Sequence, residues 1–535
     1  MMRIMNAITD KPDWDKKVFN GNITAKWREE IAQSDQDVSV KMMDWIIREL
    51  QWKAGILSDT GFVKVFDDGV VKSDTVIAED LKAALKEAVR PFENVPQGQR
   101  DYHPASDRKV IDLVHPSLFP VVYGRTRVLP DRVIGLDDCL ESIGEGTVLP
   151  TPSEKDTVQE RTRAYYWRHQ DLPAFSSKFQ WLPCEVEMTD KGDCRILTYI
   201  NNAHPLKHRS LYDVVEKILT QTMPLWESSL TEKPFRGDRI KFKEVEYEED
   251  IEPEPKYPED DAEEGGFDEY EEHRSAWYAR RRIKQPEPQE FKVTKPIYDN
   301  LNFTKHFPDH KFQVIVKLAN IELTPEKPDY EGGTWHIEGQ LNERIVASAI
   351  YYYDCENITP SSLAFRQRAN DDFLDINYEQ DMHHFLQQIY GFPDDVDGWN
   401  DGLVTQDLGS VESKEGRLIT FPNKLQHRVS PFSLADRSKS GHRKILALFL
   451  VDPHHRIISS ANVPPQREDW REKQDQSQGD PQQVLSQGEG GAVPGYVMTM
   501  EEAKALRLEL MQERGLKAEE HNQAYQIGSF SLCEH

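Results

Sequence analysis

Cysteine is scarce in this chain. Five cysteines occur in 535 residues (Cys139, Cys184, Cys194, Cys355 and Cys533), and none forms a C-x-x-C pair. That excludes a cysteine zinc site and a disulfide framework, and leaves reduced thiols as the expectation. Cys184 and Cys194 flank "CEVEMTDKGDC", which reads as a hairpin, so they either face each other or are two buried thiols. Long apolar runs are missing too. Stretches such as "ILALFLV" (445–451) are strand-sized, far short of the roughly 20 residues a membrane helix needs. The N-terminal "MMRIMNAITDKPDWDKK" has no apolar core before charge and proline intervene, so no secretory signal is expected and the location is read as cytoplasmic or nuclear. No basic stripe interleaved with aromatics appears, which disfavours nucleic acid as a partner. "ARRRIK" (279–284) directly follows an acidic run and balances it. No internal repeat is visible.

Acid is abundant but uneven. Of the formal net charge of −27, residues 244–272 alone carry −15, from 16 acids and one lysine. Proline-broken and poor in aliphatics, this stretch reads as a mobile linker or surface insertion. Elsewhere, 38% hydrophobic and 10% aromatic residues suffice for a core. The length exceeds what one compact core usually holds. The predicted organisation is a helical N-terminal region (1–100), a mixed α/β region (101–243), the acidic linker (244–290), a β-rich core (291–465), and a polar loop with a C-terminal helix (466–535). Helices are read over 22–55, 75–89 and 211–226, where apolar residues recur at helical spacing, and from Thr499, which forms a capping box with Glu502. Strands are read at 311–323, 343–354, 362–368, 416–422 and 443–452, which are rich in β-branched and aromatic residues. The predicted class is α+β, with a sandwich or jelly-roll core.

The β-rich part holds "GGTWHIEG" (332–339). If His336 begins a strand, His336 and Glu338 point to one face and can share a metal ion. A third ligand is available in "GRLITFPNKLQHRVSPF", where His427 follows His336 by 91 residues. Two histidines and a carboxylate that leave open positions form the facial triad of non-haem Fe(II) oxygenases. Sixteen residues further on, Arg443 heads the apolar strand "HRKILALFLVD". A guanidinium there needs an anion, and its planar fork suits a carboxylate such as that of 2-oxoglutarate. Tyr351 and Tyr353 share a strand face and could reach this co-substrate or fill core. Arg366 and Arg368 could line the site, and Asn423 and Ser430 could support the histidines. Asn201, Asn202 and His204 in "YINNAHP" either shape a pocket or cap the following helix. A second H-x-D, His169 and Asp171, lacks a downstream β-rich block with a matching His and Arg and is read as structural, and His383–His384 as ordinary.

The order HIE, "ERIVASAIYYYD", "GRLITFPNKLQHRVSPF", "HRKILALFLV" resembles the double-stranded β-helix of the prolyl-hydroxylase-like 2-oxoglutarate/Fe(II)-dependent dioxygenases. Over perhaps 400 residues the chain also resembles a fungal family catalogued as domain of unknown function 4246. "DLVHPSLFPVVYGRTRVL", "FQWLPCEVEM", "YINNAHP", "GGTWHIEGQLNERIVASAIYYYD" and "RKILALFLVDPHHRIISSANVPPQ" carry that likeness. The resemblance implies a double-stranded β-helix (jelly roll) core with a large helical N-terminal region and added helices. It implies Fe(II) on His336, Glu338 and His427, and 2-oxoglutarate on Arg443. Decarboxylation of this co-substrate would be coupled to hydroxylation or demethylation, with dioxygen and an organic or protein substrate as partners. One departure is Glu338, since aspartate is the commoner carboxylate. The alternative is a β-helix protein that binds metal or a partner without turnover.

Overall fold

The computed structural model describes residues 1–34, 37–153, 157, 175–231, 239–249, 253–257, 266–293, 300–369, 376–380, 382–396, 400–471, 497–530 and 532. His169, Asp171, Cys533 and much of the acidic stretch lie outside the described residues. The end of that stretch is helical, over Gly266–Arg280.

Mixed α/β architecture surrounds a large antiparallel sheet. Its strands are β1 (Val63–Phe66), β2 (Val70–Ser73), β3 (Val110–Val114), β4 (Cys184–Met188), β5 (Cys194–Ile196), β6 (Lys311–Leu323), β7 (Ile345–Glu356), β10 (Leu418–Pro422) and β12 (Gly441–Val451). They run in the order β1-β2-β10-β7-β12-β6-β4-β5, with β3 also on β6. A small sheet holds β8 (Ser362–Arg368) between β9 (Thr405–Glu412) and β11 (Gln426–Val429). The β-branched and aromatic runs thus became strands, as their composition favours.

Alternation along these strands sorts side chains onto two faces. Ile315, Ile350, Tyr352, Ile419, Phe421, Ala447 and Phe449 of the large sheet join Leu363, Phe365, Leu408 and Val411 of the small sheet in one apolar cluster. The opposite face, with Val316, Leu318, Ala349, Tyr351, Tyr353 and Leu448, packs on helices α3 (Glu79–Glu93) and α4 (Arg209–Leu230). Being covered on both sides explains why β6 and β12 read as nearly continuous apolar runs. Each fully buried Val, Leu or Phe there contributes about 1.5–3 kcal/mol.

The N-terminal region supplies α1 (Met2–Thr9) and α2 (Val40–Thr60). Ser39 caps α2 by accepting from the Met42 amide at 3.1 Å. The C-terminal helix α5 (Met500–Gln526) starts in the expected Thr499/Glu502 capping box. The hairpin β4–β5 forms, but Cys194 faces Met188, while Cys184 faces Val314 of β6. Both are buried free thiols, and their opposition is ruled out by a register that the turn sets. No helix among the described residues is long and apolar enough to cross a membrane.

Candidate metal and anion site

His336 and His427 meet because their backbones pair. The His336 amide donates to the His427 carbonyl at 3.2 Å, and the His427 amide to the His336 carbonyl at 3.0 Å. This isolated antiparallel bridge adds the HIE segment to the edge of β11, so the two imidazoles stand opposite each other with ring centroids 4.3 Å apart. The segment is no strand beyond that bridge: it bends at Glu338 and turns at Gly339, whose φ is +72°. A Cβ on Gly339 would lie 2.7 Å from Ile345 Cδ1. Glu338 therefore reaches the histidines through a different device from the expected alternation. Asn423 accepts from the Glu338 amide at 2.8 Å and donates to the Glu338 carbonyl at 2.9 Å, gripping both backbone polar groups.

Glu338 Oε1 lies 3.8 Å from His336 Nε2 and 3.3 Å from His427 Nε2. One donor atom from each of the three residues lies within 4.8 Å of the others. Adjacent ligands on a cation bonded at 2.0–2.2 Å stand about 3 Å apart, so little contraction is needed. The His336 Nδ1–H donates to the Thr334 carbonyl at 2.8 Å, which leaves the Nε2 lone pair facing the carboxylate. In the ligand-free chain a proton between Glu338 and an imidazole satisfies these converging atoms, and a metal ion would take the place of that proton. Burial works to raise the Glu338 carboxyl, but hydrogen bonds with both histidines hold it well below the usual carboxylate range. Burial works to lower His336, but the Glu338 hydrogen bond and charge raise it, whereas burial and the His336 charge lower His427. His427 Nδ1 is buried without a hydrogen-bond partner. The donor set fits Fe(II).

Arg443 is 1% exposed and sits on β12, on the face that looks toward the small sheet. Its Nη1 donates to Ser361 Oγ at 3.3 Å, while its Nε and Nη2 are buried with no hydrogen-bond partner of standard geometry among the described residues. Phe432 and Tyr352 flank the guanidinium at 4.1 and 5.6 Å. A buried guanidinium lacking a counter-ion is costly, and an incoming carboxylate would satisfy both free nitrogens. Ser361 Oγ also donates to the Ser430 carbonyl, which ties this region to the strand that carries His427.

The other residues singled out divide clearly. Tyr351 and Tyr353 lie on the helix-covered face, away from Arg443, and fill core there; Tyr352 takes the position expected of them. Tyr351 and Tyr353 share a face, as alternation requires, and of the two roles open to them the packing supports core filling. Ser430 bonds Ser362 at 2.9 Å and supports no histidine. Arg368 donates to the carbonyls of Ala524, Tyr525 and Ile527 at the end of α5. Arg366 and Arg428 flank Trp335 at 4.6 and 4.7 Å. Asn201 and Asn202 donate to carbonyls of 115–119, and His204 accepts from the amides of Leu206 and Lys207. His384 precedes a short helix, Phe385–Tyr390.

Three groups went unforeseen. Asn522 on α5 donates to the Trp335 carbonyl at 2.8 Å and accepts from Gln426 at 2.6 Å, which stitches the residues adjoining both histidines. Lys317 stands mid-strand on β6; one charge inside an apolar run was its only signal. A second cluster, His103, Asp112 and His115, also brings its donor atoms within 4.8 Å.

The chain belongs to the family described as "Protein of unknown function (DUF4246)", which matches residues 40–474, with its N-terminal domain matching residues 1–30. No curated protein matches. Among solved structures, the chain is similar to an Fe(II)/(alpha)ketoglutarate-dependent dioxygenase, TqaL, at 9% identity and TM-score 0.23, covering 72% of this chain and 95% of that one. IDO from Bacillus thuringiensis gives 7% identity and TM-score 0.23, covering 75% and 93%. A bsmA homolog from Methylobium petroleophilum PM1 gives 9% and 0.17, and the chain spans 43% of that structure's length and uses 27% of its own. Similarity at this level carries no argument about activity.

Proposed function

We propose that this DUF4246 protein is an Fe(II)- and 2-oxoglutarate-dependent oxygenase on a double-stranded β-helix core. Two observations support the reading: His336, Glu338 and His427 converge, and Arg443, a buried guanidinium with two nitrogens unpaired among the described residues, stands on the face of the large sheet that packs against the small sheet carrying His427. Neither feature helps an apolar core, and each answers one half of a metal-plus-dicarboxylate ligand.

In this reading His336, Glu338 and His427 hold Fe(II) on one face. Arg443 binds the far carboxylate of 2-oxoglutarate through Nε and Nη2, with Tyr352 and Phe432 keeping water from the guanidinium. Bound together, the metal, co-substrate and dioxygen supply decarboxylation to succinate and carbon dioxide coupled to oxidation of a C–H bond, as hydroxylation or demethylation. Asn423 fixes the Glu338 backbone, and the Thr334 carbonyl fixes the His336 tautomer. Both keep the donors oriented before the metal arrives.

The test is anaerobic addition of Fe(II) and 2-oxoglutarate to the full chain. A weak visible charge-transfer band is expected, absent in His336→Ala. Arg443→Ala should retain iron and bind 2-oxoglutarate at least tenfold more weakly. Metal binding with no band and no succinate on admitting air would instead leave a non-catalytic metal-binding protein.

A further inference from the structure

Lys317 occupies a position that favours an apolar residue. It lies at the centre of β6, registered with Ala447 of β12 on one edge and, on the other, between the stretches that pair with β4 (311–314) and β3 (318–321), with apolar clusters on both faces of the sheet. From Phe312 to Ile321 every other residue is buried, and Lys317 alone keeps partial exposure. Alternation fixes the face on which its side chain stands. Lys317 is registered with Ala447, Ala319 with Ile445, and Ile321 with Arg443, and such cross-strand partners share a face. The row Arg443, Ile445, Ala447 lies on the side that holds the Arg443 guanidinium and looks toward the small sheet. Ile445, in the middle of the row, is also only partly buried. Between Lys317 and Arg443 stand two buried alanines, Ala319 and Ala447, the smallest side chains of the row. Cations thus stand at both ends of one floor, four residues apart along β12, or about 13 Å between backbones.

Lys317 makes no hydrogen bond or ion pair among the described residues. His336, His115 and Asp112 lie within electrostatic reach of its ammonium. Of these only Asp112 is acidic, and it is already held by His103 at 2.9 Å and by Arg507 at 3.4 Å. A lysine mid-strand without a counter-ion adds nothing that methionine would not add to packing. Its charge is useful to a ligand that brings an oxyanion to this face of the sheet.

We infer that Lys317 receives an anionic group of the primary substrate, a carboxylate or phosphate, and so restricts the enzyme to acidic substrates. The inference rests on the oxygenase reading: Arg443 takes the co-substrate, and Lys317, on the same face of the large sheet and within electrostatic reach of His336, serves the molecule being oxidised.

The full chain, loaded with Mn(II) in place of Fe(II) and saturated with 2-oxoglutarate, is titrated with 13C-acetate or with methyl phosphate. Mn(II)-enhanced relaxation of the probe reads binding near the metal. Wild type should show saturable binding of at least one probe, and which one distinguishes carboxylate from phosphate. Lys317→Met should weaken that probe at least tenfold, Lys317→Arg should restore it, and 2-oxoglutarate affinity should stay within threefold in both. Probe binding unchanged in Lys317→Met, or absent from wild type, overturns the inference. An equal loss of 2-oxoglutarate in Lys317→Met also overturns it, by assigning Lys317 to the co-substrate. If wild type takes up neither Mn(II) nor 2-oxoglutarate, the oxygenase reading itself fails and the inference falls with it.

Discussion

Two histidine–acid–histidine clusters exist among the described residues, and their chemistry is opposite. In the first, no lysine or arginine among the described residues pairs with Glu338, which faces two imidazole Nε2 atoms, and the Thr334 carbonyl holds His336 Nδ1 so that Nε2 is the atom left for a metal. In the second, His103 Nδ1 sits 2.9 Å from Asp112, and the Arg507 guanidinium already contacts that carboxylate while binding Asp101 at 2.6 Å. His115 Nδ1 accepts the Ser117 amide at 3.2 Å, which leaves the proton on Nε2. The second cluster is thus a closed network of charges and hydrogen bonds, with a guanidinium where a metal would need to be. Proximity of donor atoms does not make a metal site; unoccupied lone pairs do.

Metal binding should break the symmetry most sharply. His336→Ala is expected to abolish tight Mn(II) binding, a loss of at least a hundredfold by calorimetry, whereas a His103→Ala/His115→Ala double variant should keep one site of wild-type affinity. Removing the guanidinium of each region should also give contrasting results. Arg507→Met removes the guanidinium shared by Asp101 and Asp112, leaves them Lys504 and His103 alone, and should lower stability by about 2 kcal/mol in urea unfolding. Arg443→Met, which removes a charge that already lacks its partner, should leave the ligand-free chain at least as stable as wild type.

The pH dependence sharpens the same contrast. Burial works to raise the Asp112 carboxyl, yet His115, His103 and the His103 hydrogen bond bring it down to about 2, against an ordinary 3.8. A carboxyl with a lower value in the folded chain is protonated first when unfolded. Its contribution is therefore full above about pH 4 and is lost as pH falls toward 2, amounting to about 2 kcal/mol. His103→Ala, which removes a hydrogen bond and a charge that lower Asp112, should flatten that part of the stability curve. The smallest effect is expected at Asn522. Asn522→Ala unstitches the Trp335 carbonyl from Gln426, touches no donor atom, and should weaken Mn(II) binding roughly tenfold without changing the melting temperature by more than a few degrees.

Much of this was legible in the residues. Dense β-branched runs gave the strand positions, because the pleated surface that they suit is the surface they build. His336, Glu338 and His427 were legible as ligand types awaiting a common point. What escaped was phase and long-range placement. Alternation showed that Tyr351 and Tyr353 share a face, but nothing local said which face meets the small sheet. Strand geometry seemed enough to aim Glu338, yet the chain bends there and Asn423, 85 residues on, does the aiming. The turn between β4 and β5 set a register that Cys184 and Cys194 alone could not reveal. Helix α5 was foreseen from its cap, but not its seat across the loop that carries His336, because Asn522 and Trp335 are 187 residues apart.

The most direct test is an anomalous-difference map from a crystal of the full chain soaked in Mn(II). One peak is predicted, bonded to His336 Nε2, Glu338 Oε1 and His427 Nε2. A peak at His103, Asp112 and His115, or no peak at the first cluster with its side chains ordered, would contradict the account.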